Sequence, residues 1–131
     1  MKAVTLIARI LLGLIFVVFG LNGFLNFIDA GPMPTGLAGQ FIGALAVSHY
    51  YWVVAALQIA AGLLLLVNRF VPIALVLLGP IIVNIIFYHL FLNPAGVAPA
   101  VAVTVLWSIV FYQNRRHFSG IFAQRTTEPG K

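Results

Sequence analysis

Six polar side chains interrupt the long apolar runs of this sequence, and they are the residues that could do chemistry. Amides donate and accept hydrogen bonds, and an imidazole can also exchange a proton near neutral pH. Asn22 and Asn26 are four residues apart and share a helix face. Asn84 and Tyr88 share another face, and His89 lies about 100° further round the helix. If these faces converge, they predict a polar pocket in apolar surroundings. The six residues are Asn22, Asn26, Gln58, Asn84, Tyr88 and His89.

The same side chains also have a structural interpretation. Amides between membrane helices often form interhelical hydrogen bonds that contribute about 0.6 kcal/mol on average. For Asn22, Asn26 and Gln58 this role and ligand contact both stay open, and for Asn84 with His89 they are evenly balanced. A further histidine, His49, begins a run of aromatic residues and is interpreted as an interfacial residue.

Several chemistries lack their residues. The chain has no cysteine, no acidic residue within an apolar run, no Ser-His-Asp arrangement and no glycine-rich phosphate loop. A metal site would need at least one more strong ligand than the sequence offers. A haem held between His49 and His89 stays open only if the two rings face each other. No catalytic residue is therefore predicted, and a self-contained enzyme is the least favoured class.

A dry cavity with amides and one imidazole suits a lipophilic ligand that carries polar carbonyls. A quinone or another isoprenoid lipid is the candidate cofactor, and no other cofactor is indicated. In this hypothesis His89 donates a hydrogen bond to a ligand carbonyl.

The composition indicates which elements position these residues. Hydrophobic residues make up 63% of the 131 residues and charged residues 7%, whereas globular proteins average about 45–50% and about 25%. Such a chain cannot cover a soluble surface, so lipid is the expected partner. The apolar runs are continuous, which favours helices over an alternating barrel. The predicted fold is an all-α, membrane-embedded four-helix bundle.

The apolar runs and turn residues divide the chain into a membrane domain, about 1–114, and a polar cytoplasmic tail, 115–131. Arg9 interrupts the first run, which argues against a cleaved signal peptide, and we expect its long side chain to reach the headgroups. Pro80 predicts a kink. The spans are predicted at about 4–28, 49–67, 70–91 and 97–112, with a short interfacial helix at about 36–46.

The basic residues fix the expected orientation. With four spans, every lysine and arginine falls on the side that holds both termini, and Asp29 falls on the other. Short loops retain basic residues in the cytoplasm, which predicts cytoplasmic termini in the plasma membrane of a bacterium. A nucleic-acid partner is not expected, because the basic residues form no stripe. They are Lys2, Arg9, Arg69, Arg115, Arg116, Arg125 and Lys131.

Short motifs over about residues 5–112 resemble the DoxX family of membrane proteins, through their order and spacing. They are Ala8 to Phe16 with Gly20, Asn22 and Gly23; Gly39-Gln40-Phe41; Gly62 with Leu63 to Leu66; Asn68-Arg69-Phe70-Val71-Pro72; and Pro80 through Asn84 to His89-Leu90-Phe91.

The resemblance implies a four-helix membrane bundle. It also implies a link to membrane redox and oxidative-stress systems, since the family's named member is the small subunit of a thiosulfate:quinone oxidoreductase. More distantly, the family resembles the surfeit-locus cargo receptors. Similar bundles in vitamin K epoxide reductase work through cysteines, so that chemistry does not carry over, and nothing specifies thiosulfate.

Two functions therefore stay open. One is a non-catalytic subunit or quinone-binding partner of a soluble or membrane oxidoreductase, and the other is a structural, lipid-binding or carrier protein with no redox role. The oligomeric state is not predicted. Small residues on the first span could serve contacts within or between chains, namely Gly13, Gly20, Gly23 and Ala30.

Overall fold

The computed structural model describes residues 2–29 and 31–126, and throughout this part the regular structure is helical. The predicted all-α membrane bundle is confirmed. Two 3₁₀ segments, Pro94–Gly96 and Arg115–Phe122, flank the last long helix. The long helices are α1 (Lys2–Leu25), α2 (Gly36–Val47), α3 (Tyr50–Leu66), α4 (Val71–Phe91) and α5 (Val97–Gln113).

Four of the helices form a closed ring in the order α1, α3, α4, α5, and each packs against its two neighbours. The connections make neighbours antiparallel, so the start of α1, the α3–α4 turn and the end of α5 lie at one end of the bundle. We call this the basic end, because Lys2, Arg9, Arg69, Arg115 and Arg116 lie on or between the elements that meet there. The shorter α2 packs beside α3.

The closest helix contact is between α1 and α3, where glycines allow the backbones to meet. A Cβ atom built at Gly13 would lie 2.9 Å from the carbonyl oxygen of Gly62, and one at Gly20 would lie 2.9 Å from that of Ala55. Gly13 and Gly20 of α1 therefore make helix contacts within one chain. Ala30 lies outside the described residues.

Arg9 strengthens the same pair of helices. Its guanidinium donates to the carbonyl oxygens of Leu65 and, at 3.4 Å, Leu66, both in the last turn of α3. The Leu65 carbonyl also accepts the backbone N–H of Asn68 at 3.3 Å, and the helix dipole places partial negative charge at this end of α3. The Arg9 side chain, predicted from the sequence to reach the lipid headgroups, thus binds two backbone carbonyls of the protein instead, because α3 ends beside it.

By length and apolar composition, three described helices could each cross a membrane: Lys2–Leu25, Val71–Phe91 and Pro94–Gln113. A fourth crossing arises if α2 and α3, which meet at a bend of 80°, count together. α3 alone has 17 residues, about 25 Å at 1.5 Å per residue, which is shorter than a typical hydrocarbon core. Its glycine contacts nevertheless keep it beside α1 from Gly23 to Gly13.

The first part of the predicted tail is ordered. Arg115–Phe122 forms a 3₁₀ helix, and Phe118 is buried with its ring centroid 4.8 Å from that of Phe111. An apolar side chain in a mostly polar segment thus anchors the segment to α5. Lys131 lies outside the described residues.

Candidate functional site

A cleft of about 460 Å³ opens where the end of α1, the end of α2 and the start of α3 meet. It lies at the end of the bundle opposite the basic end. Two of the predicted site residues line it, together with His49 and several apolar and aromatic side chains. The lining residues are Asn22, Gly23, Phe24, Asn26, Ile42, Leu45, Ala46, His49, Tyr51 and Trp52.

Both asparagines of the cleft also end α1. Asn26 has a φ of 52°, and its backbone N–H donates to the carbonyl of Asn22 at 2.9 Å, the αL arrangement that stops a helix. The Asn22 Oδ1 accepts the backbone N–H of Ile28 at 2.7 Å. This is why α1 ends at Leu25 although the apolar run continues to Ile28. No described residue takes the Nδ2 hydrogens of Asn22 or the Asn26 side chain.

Aromatic rings form another wall of the cleft. His49 has a φ of 61° at the break between α2 and α3, and its ring centroid lies 4.4 Å from that of Trp52. The Trp52 ring also contacts Phe24, at 5.7 Å between centroids. His49, interpreted from the sequence as an interfacial residue, therefore lines the cleft, because the left-handed turn at this residue brings α2 back over the start of α3.

Asn84 does not line the cleft. It lies exposed on α4, and its Nδ2 donates to the carbonyl oxygen of Pro80 at 2.8 Å. α4 continues through Pro80 from Val71 to Phe91. The Asn84 amide is thus used on its own helix, beside the proline that leaves one backbone carbonyl without its donor.

Tyr88 and His89 lie near the C-terminal end of α4. The Tyr88 ring stacks on Phe41 of α2 at 5.7 Å, and its centroid lies 5.0 Å from that of His89. The His89 Nδ1 lies 3.1 Å from the carbonyl oxygen of Asn93, so Nδ1 donates there. A Cβ atom at Gly96 would collide with the imidazole. This ring is packed against the α4–α5 connection rather than against the cleft.

Gln58 occupies a third place. It lies midway along α3, is only 5% exposed, and its Oε1 has no hydrogen-bond partner in the described part of the chain. The cleft and Gln58 are therefore separate features. The structure brings Asn22 and Asn26 together, places Tyr88 beside His89, and leaves Gln58 and Asn84 apart from both pairs.

Two kinds of cleft residue escape sequence reasoning. Ile42, Leu45 and Ala46 come from α2, and nothing in an apolar helix tells which face covers a ligand site. Tyr51 and Trp52 were visible as boundary aromatics, which is also what a membrane interface requires. The short Ser48-His49 break between α2 and α3 is the sequence feature that could indicate a cleft here rather than a membrane interface alone. A break this short forces α2 against α3.

Comparison with known proteins agrees with this architecture. No curated protein and no solved structure matches the chain. A protein-family model described as DoxX matches residues 4–90, which is more than half of the 131 residues. This match runs from the first turn of α1 to the last turn of α4 and includes both asparagines of the cleft. The chain therefore belongs to the DoxX family.

Proposed function

We propose that this DoxX-family protein is a non-catalytic membrane protein that binds an uncharged lipophilic molecule with carbonyl groups, such as a quinone, in the cleft. The observation that carries the proposal is the pairing of unused hydrogen-bond donors with apolar walls. The bound molecule would then serve an oxidoreductase partner, a part of the proposal that rests on the family resemblance.

The donors of the cleft favour a neutral acceptor. Since Oδ1 of Asn22 is held by the Ile28 N–H, the side chain presents its two Nδ2 hydrogens. Asn26 and His49 add further donor capacity in the same lining. No described lysine or arginine lines the cleft, so a phosphate or carboxylate would bring charge with no cation from this lining to balance it. A carbonyl oxygen needs only a donor.

The walls favour a flat apolar body. Phe24, Tyr51 and Trp52 line the cleft with Ile42 and Leu45, and aromatic rings stack on a planar ring in offset or tilted geometries. A volume of about 460 Å³ lies within the range of about 300–1,000 Å³ usual for small-molecule sites. The cleft can therefore hold a quinone head while the isoprenoid tail extends into lipid.

The proposal includes a location. Five of the described basic residues, from Lys2 to Arg116, lie on or between the elements that meet at the basic end, and short loops rich in lysine and arginine stay in the cytoplasm. We therefore place both termini in the cytoplasm and the cleft in the outer half of a bacterial plasma membrane.

A second candidate is a structural, lipid-binding or carrier protein without a redox role. Three of the predicted site residues use their side chains on backbone groups of the protein itself: Asn22 on Ile28, Asn84 on Pro80 and His89 on Asn93. Such hydrogen bonds favour helix-end and helix-packing roles over ligand contact, most clearly for Asn84 and His89.

The two tryptophans allow a direct test of the cleft. Trp52 lines it, whereas Trp107 lies between α4 and α5 and donates to Leu75. A short-chain ubiquinone analogue titrated into detergent-solubilised protein should quench the fluorescence of Trp107→Phe, which keeps Trp52. It should quench Trp52→Phe much less. Equal quenching of both variants would show partitioning into the micelle and would contradict the proposed site.

Extraction of the native protein then separates the two candidates. Recovery of a quinone, recognised by its ultraviolet spectrum and lost in Asn26→Ala, supports the first. Asn84→Ala is the matched control, because it removes the same side chain from an exposed position outside the cleft. Recovery of phospholipid alone from both variants supports the second candidate.

A further inference from the structure

A second groove, remote from the cleft, opens on the outside of the bundle at the basic end. It has a volume of about 360 Å³ and lies between the first turn of α1 and the last three turns of α5. We propose that this groove seats one acyl chain of an anionic phospholipid, with the phosphate at Arg115. The lining residues are Val4, Thr104, Val105, Ser108, Ile109 and Tyr112.

The length and direction of the groove suit an acyl chain. From Tyr112 at its mouth to Thr104 it follows α5 inward for about 12 Å at 1.5 Å per residue. Because α5 is one of the membrane-crossing candidates, this direction runs from the headgroup level toward the hydrocarbon core. A chain lying there would be parallel to the helices, as the lipids around it are.

The aliphatic hydroxyl groups of Thr104 and Ser108 do not make the groove polar. Ser108 donates to the carbonyl of Thr104 at 2.8 Å, and Thr104 donates to that of Ala100 at 2.8 Å. Each hydroxyl hydrogen is therefore satisfied inside α5. What remains exposed to the groove is carbon from valine and isoleucine side chains and the tyrosine ring.

The mouth of the groove carries a fixed cation. The Arg115 guanidinium carbon lies 4.0 Å from the centroid of the Tyr112 ring, and Nη1 donates to the Tyr112 carbonyl at 2.7 Å. A guanidinium has five N–H donors, so most remain for another acceptor. A planar fork suits phosphate oxygens, and the stacking on Tyr112 places this fork directly beside the apolar groove.

The protein supplies no counter-ion here among its described residues. Of the two acidic residues, Asp29 lies in the α1–α2 loop at the other end of the bundle, and Glu128 lies outside the described residues. Lys2 begins α1 at the same end as Arg115, which adds positive potential. A partner with a negative head and an apolar chain complements both parts of this site.

Membrane orientation alone explains why basic residues lie at this end, but it does not explain the groove. The test must therefore separate general attraction of anionic lipid to the basic end from specific binding in the groove. Purified, delipidated protein in neutral detergent is titrated with phosphatidylglycerol and with phosphatidylcholine of the same acyl chains, and bound lipid is counted by native mass spectrometry. We expect about fivefold tighter binding of phosphatidylglycerol, the effect expected of one arginine near an anionic headgroup. No preference in the wild type would overturn the proposal.

Two variants and one control locate the site. Arg115→Gln should abolish the preference for phosphatidylglycerol. Arg69→Gln removes the same charge from the same end, but from the α3–α4 turn on the opposite edge of the ring, and should keep it. Val105→Trp fills the groove at an exposed position and should weaken binding of both lipids.

Three outcomes would reject the site. An equal loss in Arg69→Gln would mean general attraction to the basic end, and unchanged binding in Val105→Trp would mean that no chain occupies the groove. Lipid-free dimers that separate in Val105→Trp would mean that a second copy of the protein covers it instead.

Discussion

The two helix pairs α1–α3 and α4–α5 are joined by different physical means. Between α1 and α3 the backbones touch, since Cβ atoms added at Gly13 or Gly62 would lie within 2.9 Å of the opposing carbonyl oxygen. Between α4 and α5 a large side chain fills the space. Trp107 donates to the Leu75 carbonyl at 3.0 Å, and a Cβ atom at Gly79 would meet this indole at an ordinary 3.7 Å.

The two helix pairs should differ in how easily their helices can shift relative to each other. Lipid solvates apolar side chains as well as another helix does, so association depends on close packing and on hydrogen bonds. The α1–α3 pair uses backbone contact and the Arg9 hydrogen bonds to α3, so it should be rigid. The α4–α5 pair depends on one indole hydrogen bond, from Trp107 to the Leu75 carbonyl, and on side-chain packing, which can adjust.

The largest expected effect comes from a methyl group in the tight pair. In Gly62→Ala the new Cβ would lie 2.7 Å from Cγ2 of Val17 and 2.8 Å from the carbonyl oxygen of Gly13. Because one of these atoms belongs to the backbone, α1 and α3 must separate. We expect the free energy of unfolding to fall by about 3 kcal/mol, measured by titration with a denaturing detergent and far-ultraviolet circular dichroism.

The control for this change is Gly43→Ala. A Cβ at Gly43 in α2 would meet no heavy atom within 4 Å, so the same substitution should leave stability unchanged or raise it by up to about 1 kcal/mol through helix propensity. Similar losses in both variants would show that helix contact is not the cause.

A smaller effect is expected at the charged contact of the same pair. Arg9→Gln removes the cation from the α3 carbonyls of Leu65 and Leu66, and we expect a loss of about 1.5–2 kcal/mol in the same assay. Arg69→Gln removes an exposed arginine from the adjoining turn and should change stability much less. If both variants lose stability equally, the Arg9 contact contributes nothing specific.

The smallest effect is expected in the adjustable pair. Trp107→Phe deletes the hydrogen bond to Leu75 and keeps an aromatic ring against Phe111. The expected loss is about 0.6 kcal/mol, the average for such bonds between membrane helices. A loss as large as that of Gly62→Ala would remove the contrast between the two pairs. Trp52→Phe, which has no indole hydrogen bond in the described structure, is the reference.

The helical class could be predicted because it depends on composition and on the length of apolar runs. The candidate site could be predicted only in part. Asn22 and Asn26 do share a place, since a spacing of four residues fixes it within one helix. His89 could not be assigned to the cleft or away from it, because its position depends on Gly96, a residue in another element that admits the imidazole at close range.

Residue types and their order are enough to predict that this protein belongs in lipid, that it is helical, and that its basic residues gather at one end. These properties follow from residue type, spacing and chain order, which need no knowledge of contacts. Which polar groups remain free depends instead on how the helices pack. Asn22, Asn84 and His89 look alike as polar interruptions of apolar runs, yet each is bonded to a different backbone group. A hydrogen bond depends on a distance and an angle, and these exist only once the helices have ended, turned and packed.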